Sequence, residues 1–246
     1  INGNNVVSTI DINIQTIAEE EAKKFEADPG AENVSVLIMD PNNGEILAMY
    51  NTHGFDPNDA YSSDTLAYQF DTNEEGDEIP ADQVAATVEG LTDEQKLEAL
   101  NKVWRNFCVS DAYEPGSTFK PFTISGALEE NIITPETTFW CDGFQQIDTY
   151  KIKCHKTTGH GEVTTEGAMV QSCNDALMQI GAMEGPKIFA KYQDVFGFGQ
   201  KTRVDLPGEA NTSNLIYYED TLNPVELATS SFGQGVSVTM IQLASA

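Results

Sequence analysis

A serine and a lysine three positions apart are the residues of this sequence best suited to do chemistry. They lie in the segment 114–120 (EPGSTFK), directly after a Pro-Gly break, and residues i and i+3 share one face of a helix. A serine hydroxyl is a poor nucleophile until a base takes its proton, and a lysine can be that base if burial lowers its pKa. Ser117 and Lys120 therefore indicate nucleophilic catalysis at a helix start, where unpaired N–H groups favour developing negative charge.

The same spacing also occurs on many exposed helices, so the pattern alone is weak. Its neighbours are apolar, however, and include Phe119, Phe122 and Ile124. A lysine flanked in this way is either buried or badly placed, and a buried lysine needs a reason. The apolar context favours the catalytic interpretation over a solvated helix start.

A second polar pair, Ser172 and Asn174, lies in an otherwise apolar stretch with Cys173 between the two. If buried, the hydroxyl and the amide both need hydrogen-bond partners. One interpretation is a helix cap or turn that satisfies local backbone groups. The functional interpretation places Ser172 in a proton relay and makes Asn174 a donor to a substrate amide carbonyl.

The two motifs in this order resemble the transpeptidase domain of high-molecular-weight penicillin-binding proteins, for which S-x-x-K is a signature shared with serine β-lactamases. The resemblance runs nearly end to end. Further matching segments are residues 6–11, 14–15, 36–41, 44–49, 55–58, 113–116, 159–161 and 232–235. It implies an α+β fold of the penicillin-binding-protein transpeptidase or serine β-lactamase type, with a helical lobe and an antiparallel sheet that is incomplete in this chain.

The resemblance also implies a peptidoglycan D,D-transpeptidase that cross-links stem peptides and is acylated by β-lactams. Ser117 attacks the penultimate D-alanine carbonyl, Lys120 takes its proton, Ser172 protonates the leaving D-alanine, and Asn174 holds the acyl amide. The residues expected to bind substrate are Gly116, Gly233, Gln234 and Gly235. The Ser117 N–H is expected to be one of the two oxyanion donors.

The family's third motif, Lys-Thr-Gly, is expected on a strand after residues 233–235, and the sequence ends at Ala246 without it. The tetrapeptide 156–159 (KTTG) has an extra threonine and lies between the first two motifs, so it is not taken as a substitute. Loss of one oxyanion donor costs about 10²–10³ in rate. We therefore expect residues 1–246 to form a partial transpeptidase domain with little activity by itself.

Two other classes share the nucleophile and the lysine. A serine β-lactamase must hydrolyse its acyl-enzyme, and no deacylation motif is recognisable. A β-lactam sensor domain acylates once and signals, and the sequence discriminates poorly against it. A third alternative, an inactive structural relative in a cell-division complex, is disfavoured by the four intact motif residues.

The composition limits the partners. The 246 residues include 13 basic and 39 acidic ones, a net charge of −26, which argues against nucleic acid and against a polybasic membrane surface. The sequence contains neither a run of roughly 18 apolar residues nor a visible signal peptide. The resemblance implies the extracytoplasmic face of the cell membrane, an anchor upstream, and possible division or elongation partners. No cofactor is expected.

Four cysteines permit three disulfide pairings. Cys141 and Cys154 flank one loop and form the pairing to be considered, whereas Cys173 lies inside the second motif and is expected to be a buried thiol. Zinc binding by Cys141, Cys154, His155 and His160 is the competing hypothesis. Their spacing matches no common finger pattern, so no metal site is predicted.

Hydrophobic periodicity places these motifs on a coarse framework. The predicted helices are residues 13–27 (ended by 28–30), 93–107, 120 to 129 or 130, 174–183, 186–196, a stretch from 224 and a helix beginning at 239. Strands are predicted at 34–40 and 45–50, joined by a tight Asn-Gly turn, with short strands near Phe139 and Val163. Residues 59–100 are dense in acids, among them Asp71, Glu74, Glu75, Asp77, Glu78 and Asp82, and are interpreted as a solvated insertion.

Overall fold

The computed structural model describes residues 3–26, 33–52, 54–71 and 79–246. They group into two compact units, Ile1–Ser110 and Asp111–Ala246. Each unit mixes helices with antiparallel strand pairs, and every residue predicted to do chemistry lies in the second unit. Among the described residues, none of the helices combines the length and the apolar composition needed to span a bilayer.

The described residues of the first unit form a strand hairpin and five α-helices. Its elements are α1 (Ile12–Glu26), β1 (Ser35–Met39), β2 (Ile46–Asn51), α2 (Ser63–Ala67), a 3₁₀ turn (Tyr68–Phe70), α3 (Ala81–Gly90), α4 (Asp93–Val103) and α5 (Phe107–Ser110). The Gln15 side chain donates to the Met49 carbonyl at 3.0 Å and accepts from the Met49 N–H at 2.9 Å. This pair of bonds fixes α1 along β2. The predicted helix and hairpin are confirmed, while the helix stop at 28–30 lies outside the described residues.

The acidic stretch 59–100 is more helical than predicted. The helix expected from Asp93 is present and starts with a capping box between Thr92 and Gln95, but it ends at Val103 rather than at residue 107. Helices α2 and α3 were missed because each has few apolar positions from which to count a period. Helices α2 and α3 form a small core together with α4, made of Leu66, Val88, Ala99, Leu100 and Val103. Glu74, Glu75, Asp77 and Glu78 lie outside the described residues, and the insertion itself stays a prediction.

The second unit holds more of the helical mass. Its elements are β3 (Ala112–Tyr113), a 3₁₀ turn (Gly116–Phe119), α6 (Lys120–Glu129), β4 (Thr138–Cys141), β5 (Phe144–Ile147), β6 (Tyr150–Lys153), β7 (Gly161–Thr164), α7 (Thr165–Val170), α8 (Asn174–Val195), α9 (Pro224–Ser230), β8 (Val238–Thr239) and α10 (Met240–Ser245). The strands pair antiparallel in twos, as β3 with β8, β4 with β7 and β5 with β6. Helix α6 ends before Asn131, as predicted.

The packing of the second unit centres on α8, whose apolar face is fully buried and includes Ala176, Leu177 and Ile180. Small residues allow the neighbouring helices to approach it closely. A Cβ at Gly181 would lie 2.9 Å from the Ser231 Cβ. The sequence predicted two helices here, and α8 is indeed broken at Gly185, whose φ of 69° is followed by Pro186.

Glu184, next to this break, is a buried carboxyl. It is 5% exposed, and neither of its oxygens has a hydrogen-bond partner among the described residues. Its neighbours are aromatic and amide side chains, including Tyr192 and Gln193. Burial raises the pKa of Glu184 to about 8. The carboxyl is therefore protonated at neutral pH in the folded chain.

We expect Glu184 to make the folded state less stable as pH rises from about 5 to about 8. The folded state keeps a proton there that the unfolded state, with an ordinary glutamate pKa, has released. The free energy of unfolding then falls by about 1.4 kcal/mol per pH unit for that one proton. Thermal unfolding followed across this range should show the slope in the wild type and lose it in Glu184→Gln. The exposed Glu129→Gln is the matched control, and an unchanged slope in Glu184→Gln would contradict the assignment.

Candidate active site

The first motif is presented by a turn that runs directly into a helix. Ser117 lies in the 3₁₀ turn Gly116–Phe119, and Lys120 is the first residue of α6. The predicted helix start is thus a tighter turn than expected. Ser117 is exposed, whereas Lys120 is 1% exposed. The geometry therefore combines an accessible hydroxyl with a buried amine.

The structure brings both motifs together through hydrogen bonds. The Lys120 Nζ donates to the Ser172 carbonyl at 2.7 Å, to the Ser172 Oγ at 2.8 Å and to the Asn174 Oδ1 at 2.7 Å. The Ser172 Oγ donates to the Ser117 Oγ at 3.0 Å. Among the described hydrogen bonds, the connection from Ser117 to Lys120 therefore runs through Ser172, where the sequence analysis expected direct contact.

The surroundings of Lys120 change the pKa of its amine. Burial lowers its pKa to about 8, while the thiols of Cys154 and Cys173 act in the opposite direction. An ammonium has three N–H donors, and all three find an acceptor in the second motif. A buried cation with every donor satisfied is tolerated, and loss of one proton leaves a lone pair in the same cluster.

Ser172 is held in a backbone conformation that non-glycine residues seldom adopt. Its φ is 49°, in the left-handed region. The Ser172 N–H bonds to the Met169 carbonyl at 3.0 Å and the Cys173 N–H to the Ala168 carbonyl at 2.8 Å, which is the Schellman ending of α7. Glycine is the usual residue at this position, and a serine there costs about 1–3 kcal/mol. This backbone conformation positions the Ser172 hydroxyl between Ser117 and Lys120, within hydrogen-bond distance of both.

Asn174 begins α8, one residue after the cap. Its Oδ1 is occupied by Lys120, so its side-chain NH₂ is the part that can donate elsewhere. Cys173 is the N-cap, and its sulfur accepts from the Ala176 N–H at 3.4 Å. The end of α7 and the start of α8 thus fix the two polar side chains of the second motif.

The Gly-Gln-Gly segment packs against the turn that carries Ser117. The Gly116 N–H donates to the Gly233 carbonyl at 2.9 Å, and a Cβ at Gly233 would collide with the Gly116 carbonyl. The Gly235 N–H donates to Glu114 at 2.9 Å, a contact that the sequence analysis did not anticipate. Gln234 is exposed. The segment therefore supports the 3₁₀ turn that carries Ser117. Its role in binding substrate stays a prediction.

The cysteine-rich loop is organised differently from the sequence expectation. Cys141 and Cys154 are free and buried, as are Cys108 and Cys173, so the disulfide considered above is not formed. Cys173 instead lies with Cys141, Cys154 and His160 in one cluster. The rejected tetrapeptide 156–159 lies in the loop between β6 and β7.

Comparison of the sequence with known proteins identifies the family of this chain. The family model of the penicillin binding protein transpeptidase domain matches residues 34–246. The chain is 35% identical over 235 residues to stage V sporulation protein D of Bacillus subtilis, which covers 95% of this chain and 31% of that protein. It is 29% identical over 248 residues to the probable peptidoglycan D,D-transpeptidase PenA of Neisseria flavescens, which covers 100% of this chain and 51% of the relative.

A solved structure gives the same result for the fold. The transpeptidase domain of penicillin-binding protein 3 from Burkholderia pseudomallei superposes with a TM-score of 0.70 at 25% identity, covering 96% of this chain and 55% of that one. The chain spans about a third to a half of the curated relatives named here. The predicted α+β fold class is confirmed. The chain belongs to the penicillin-binding protein transpeptidase domain family.

Proposed function

We propose that this chain carries the acyl-transfer site of a peptidoglycan D,D-transpeptidase that cross-links stem peptides through an ester on Ser117. The observation that carries the proposal is the continuous hydrogen-bonded connection from Ser117 through Ser172 to the buried Lys120. It provides an exposed nucleophile, a relay hydroxyl and an amine whose pKa is lowered to about 8. These are the elements of an activated serine.

Acylation follows from reversing the direction of these hydrogen bonds. When Lys120 is neutral, its lone pair accepts the Ser172 proton, and the Ser172 oxygen accepts the Ser117 proton. The Ser117 Oγ then bonds to the carbonyl carbon of the penultimate D-alanine. The C–N bond breaks as the terminal D-alanine leaves, and its nitrogen receives the proton back through Ser172. Transfer through a positioned relay is worth about 10²–10⁴ in rate.

The second half of the reaction uses the same groups in the opposite direction. The amino group of a second stem peptide attacks the ester carbonyl and gives up a proton through Ser172 to Lys120. The ester C–O bond then breaks, and Lys120 returns this proton through Ser172 to the Ser117 oxygen, which leaves as a hydroxyl. In this mechanism the Asn174 NH₂ donates to the acyl amide carbonyl. The N–H of Ser117, in the 3₁₀ turn that leads into α6, helps to stabilise the tetrahedral oxyanion.

The partners follow from this chemistry. The substrate class is a stem peptide that ends in D-alanyl-D-alanine, and β-lactams acylate Ser117 by the same attack. The relatives are named as a sporulation protein and a peptidoglycan D,D-transpeptidase, which supports a site of action on the extracytoplasmic face of the membrane, with proteins of a division or elongation complex as further partners. The net charge of −26 argues against nucleic acid.

The first prediction concerns the nucleophile. Intact mass spectrometry of the protein in its full cellular length, incubated with a penicillin, should show one covalent adduct that persists for hours. The adduct should be absent from Ser117→Ala, because within the described part of the chain Ser117 is the hydroxyl that Ser172 joins to Lys120. Ser125→Ala, which changes an exposed serine of the following helix α6, is the matched control and should acylate normally.

The alternatives give different results in the same experiment. Loss of the adduct within minutes, with hydrolysed penicillin released, would identify a serine β-lactamase. A stable adduct without cross-linking of stem peptides would identify a β-lactam sensor. A folded protein that never acylates would overturn the catalytic proposal.

The second prediction separates the catalytic role of Ser172 from its backbone strain. Ser172→Ala and Ser172→Gly both remove the relay hydroxyl, so both should acylate about 10²-fold more slowly or worse. Only glycine relieves the positive φ, so Ser172→Gly should be about 1 kcal/mol more stable than Ser172→Ala. Acylation rates and denaturant unfolding of the pair test this. Normal acylation in Ser172→Gly would exclude Ser172 from the relay.

A further inference from the structure

Three cysteines and a histidine converge beside the second motif from four different places in the chain. Cys141 ends β4, Cys154 follows β6, His160 precedes β7, and Cys173 lies between α7 and α8. One side-chain ligand atom from each lies within 4.8 Å of all the others. The three thiols are at most 1% exposed. The mechanism above uses none of these four side chains.

The distances within the cluster are close to those of a tetrahedral metal site. The Cys141 Sγ is 3.4 Å and the Cys154 Sγ 3.8 Å from the His160 Nδ1, and the two sulfurs of Cys154 and Cys173 are 4.0 Å apart. Around zinc, bond lengths of about 2.3 Å to sulfur and about 2.0 Å to nitrogen give sulfur–sulfur separations of about 3.8 Å and sulfur–nitrogen separations of about 3.5 Å. These three separations lie within about 0.3 Å of the zinc values, and the remaining ligand pairs lie within 4.8 Å, so a contraction of at most about 1 Å completes the coordination.

The backbone around the cluster is arranged as it would be around thiolates. The Ala176 N–H donates to the Cys173 sulfur at 3.4 Å. Burial acts to raise the thiol pKa of Cys141 and of Cys154, and nearby backbone N–H groups act to lower it. Hydrogen bonds to a charged acceptor are the strong ones, and such donors orient and stabilise metal ligands. A cysteine buried only as a small apolar residue needs none of them.

Two glycines allow the loops that carry the ligands to approach each other. Gly143 has a φ of 95°, and a Cβ there would collide with the Thr157 carbonyl. Gly159 has a φ of 80°, and a Cβ there would collide with the Cys141 carbonyl. The loop after β4 and the loop after β6 therefore meet backbone to backbone, with the cluster beside them.

We propose that Cys141, Cys154, Cys173 and His160 bind one zinc ion in a closed structural site. Three thiolates and one imidazole in tetrahedral arrangement are a ligand set that zinc prefers. Four protein ligands leave no open position for a catalytic water, so the ion has no part in acyl transfer. On binding, each thiol releases its proton to solvent, and His160 binds as a neutral imidazole through Nδ1.

The site would add a further link between the strand ribbons and helices α7 and α8, which already share a hydrophobic core and the Gln179–Trp140 and Gln145–Asp175 hydrogen bonds. Two-stranded ribbons such as β4–β7 and β5–β6 are marginally stable by themselves. Through Cys173, zinc would tie both ribbons to the residue between Ser172 and Asn174. The metal would therefore stabilise the lobe and fix the second motif at the same time.

The test measures metal, with no substrate involved, so its result is independent of the proposed transpeptidase activity. The wild-type protein, produced in zinc-supplemented medium and purified without chelator, should carry one zinc per chain by elemental analysis and native mass spectrometry. Cys141→Ser should lose the zinc. Cys108→Ser, which changes an equally buried cysteine of the first unit, is the matched control and should keep it.

Stability and spectroscopy test the site without relying on variants that fail to fold. Removal of zinc with a chelator should lower the unfolding temperature by roughly 10 °C, and added zinc should restore it. Cobalt added to the stripped protein should give the ligand-field and thiolate charge-transfer bands of a tetrahedral site. His160→Cys should retain the metal and shift these bands toward those of four sulfurs. His155→Ala should leave them unchanged.

Two results would overturn the proposal. One is a folded wild-type protein that contains almost no zinc and takes up neither zinc nor cobalt. The other is loss of two free thiols with the corresponding mass decrease and no bound metal, which would make the cluster a disulfide site.

Discussion

The arrangement of the second unit depends on one buried cation. The Lys120 ammonium is almost fully removed from water. Hydrogen bonds to three acceptors of the second motif stabilise its charge there. A buried charge is strongly unfavourable unless it is paired and hydrogen-bonded. The same three bonds therefore stabilise the fold and join the start of α6 to the start of α8. Burial has a second effect on Lys120. It lowers the pKa of the amine to about 8, so that the amine can lose and regain a proton near neutral pH.

Other local features can be understood as consequences of that requirement. Ser172 must present both its carbonyl and its hydroxyl to Lys120, which the left-handed conformation at the end of α7 achieves at the expense of backbone strain. Ser117 must remain exposed one turn before the buried amine, so the chain enters α6 through a 3₁₀ turn that is supported from behind by Gly233. A side chain at Gly233 would displace that turn. The glycine thus acts through backbone packing, whatever its role toward substrate.

The sequence was informative wherever local spacing determines geometry. The i, i+3 relation of Ser117 and Lys120, the end of α6 before Asn131 and the break of α8 at Gly185 all follow from helix periodicity and from glycine and proline preferences. It was least informative where residues far apart in the chain meet. The zinc hypothesis that the sequence analysis considered and rejected named Cys141, Cys154, His155 and His160, whereas the cluster in the structure has Cys173 in place of His155. Cys173, 19 residues beyond Cys154, could not be included without the tertiary structure.

The three residues Ser172, Cys173 and Asn174 combine requirements that would otherwise conflict. The turn needs a helix cap, and cysteine is a weaker cap than serine, aspartate or asparagine because a neutral thiol is a weak acceptor. A metal-bound thiolate is a charged acceptor, so the proposed zinc would strengthen the Cys173 cap on α8. It would also help to offset the strain at Ser172, since that strain persists only where the surroundings over-determine the backbone. A cysteine at this position is a poor cap without the metal and would be a good one with it, so the proposed site would account for the thiol between Ser172 and Asn174.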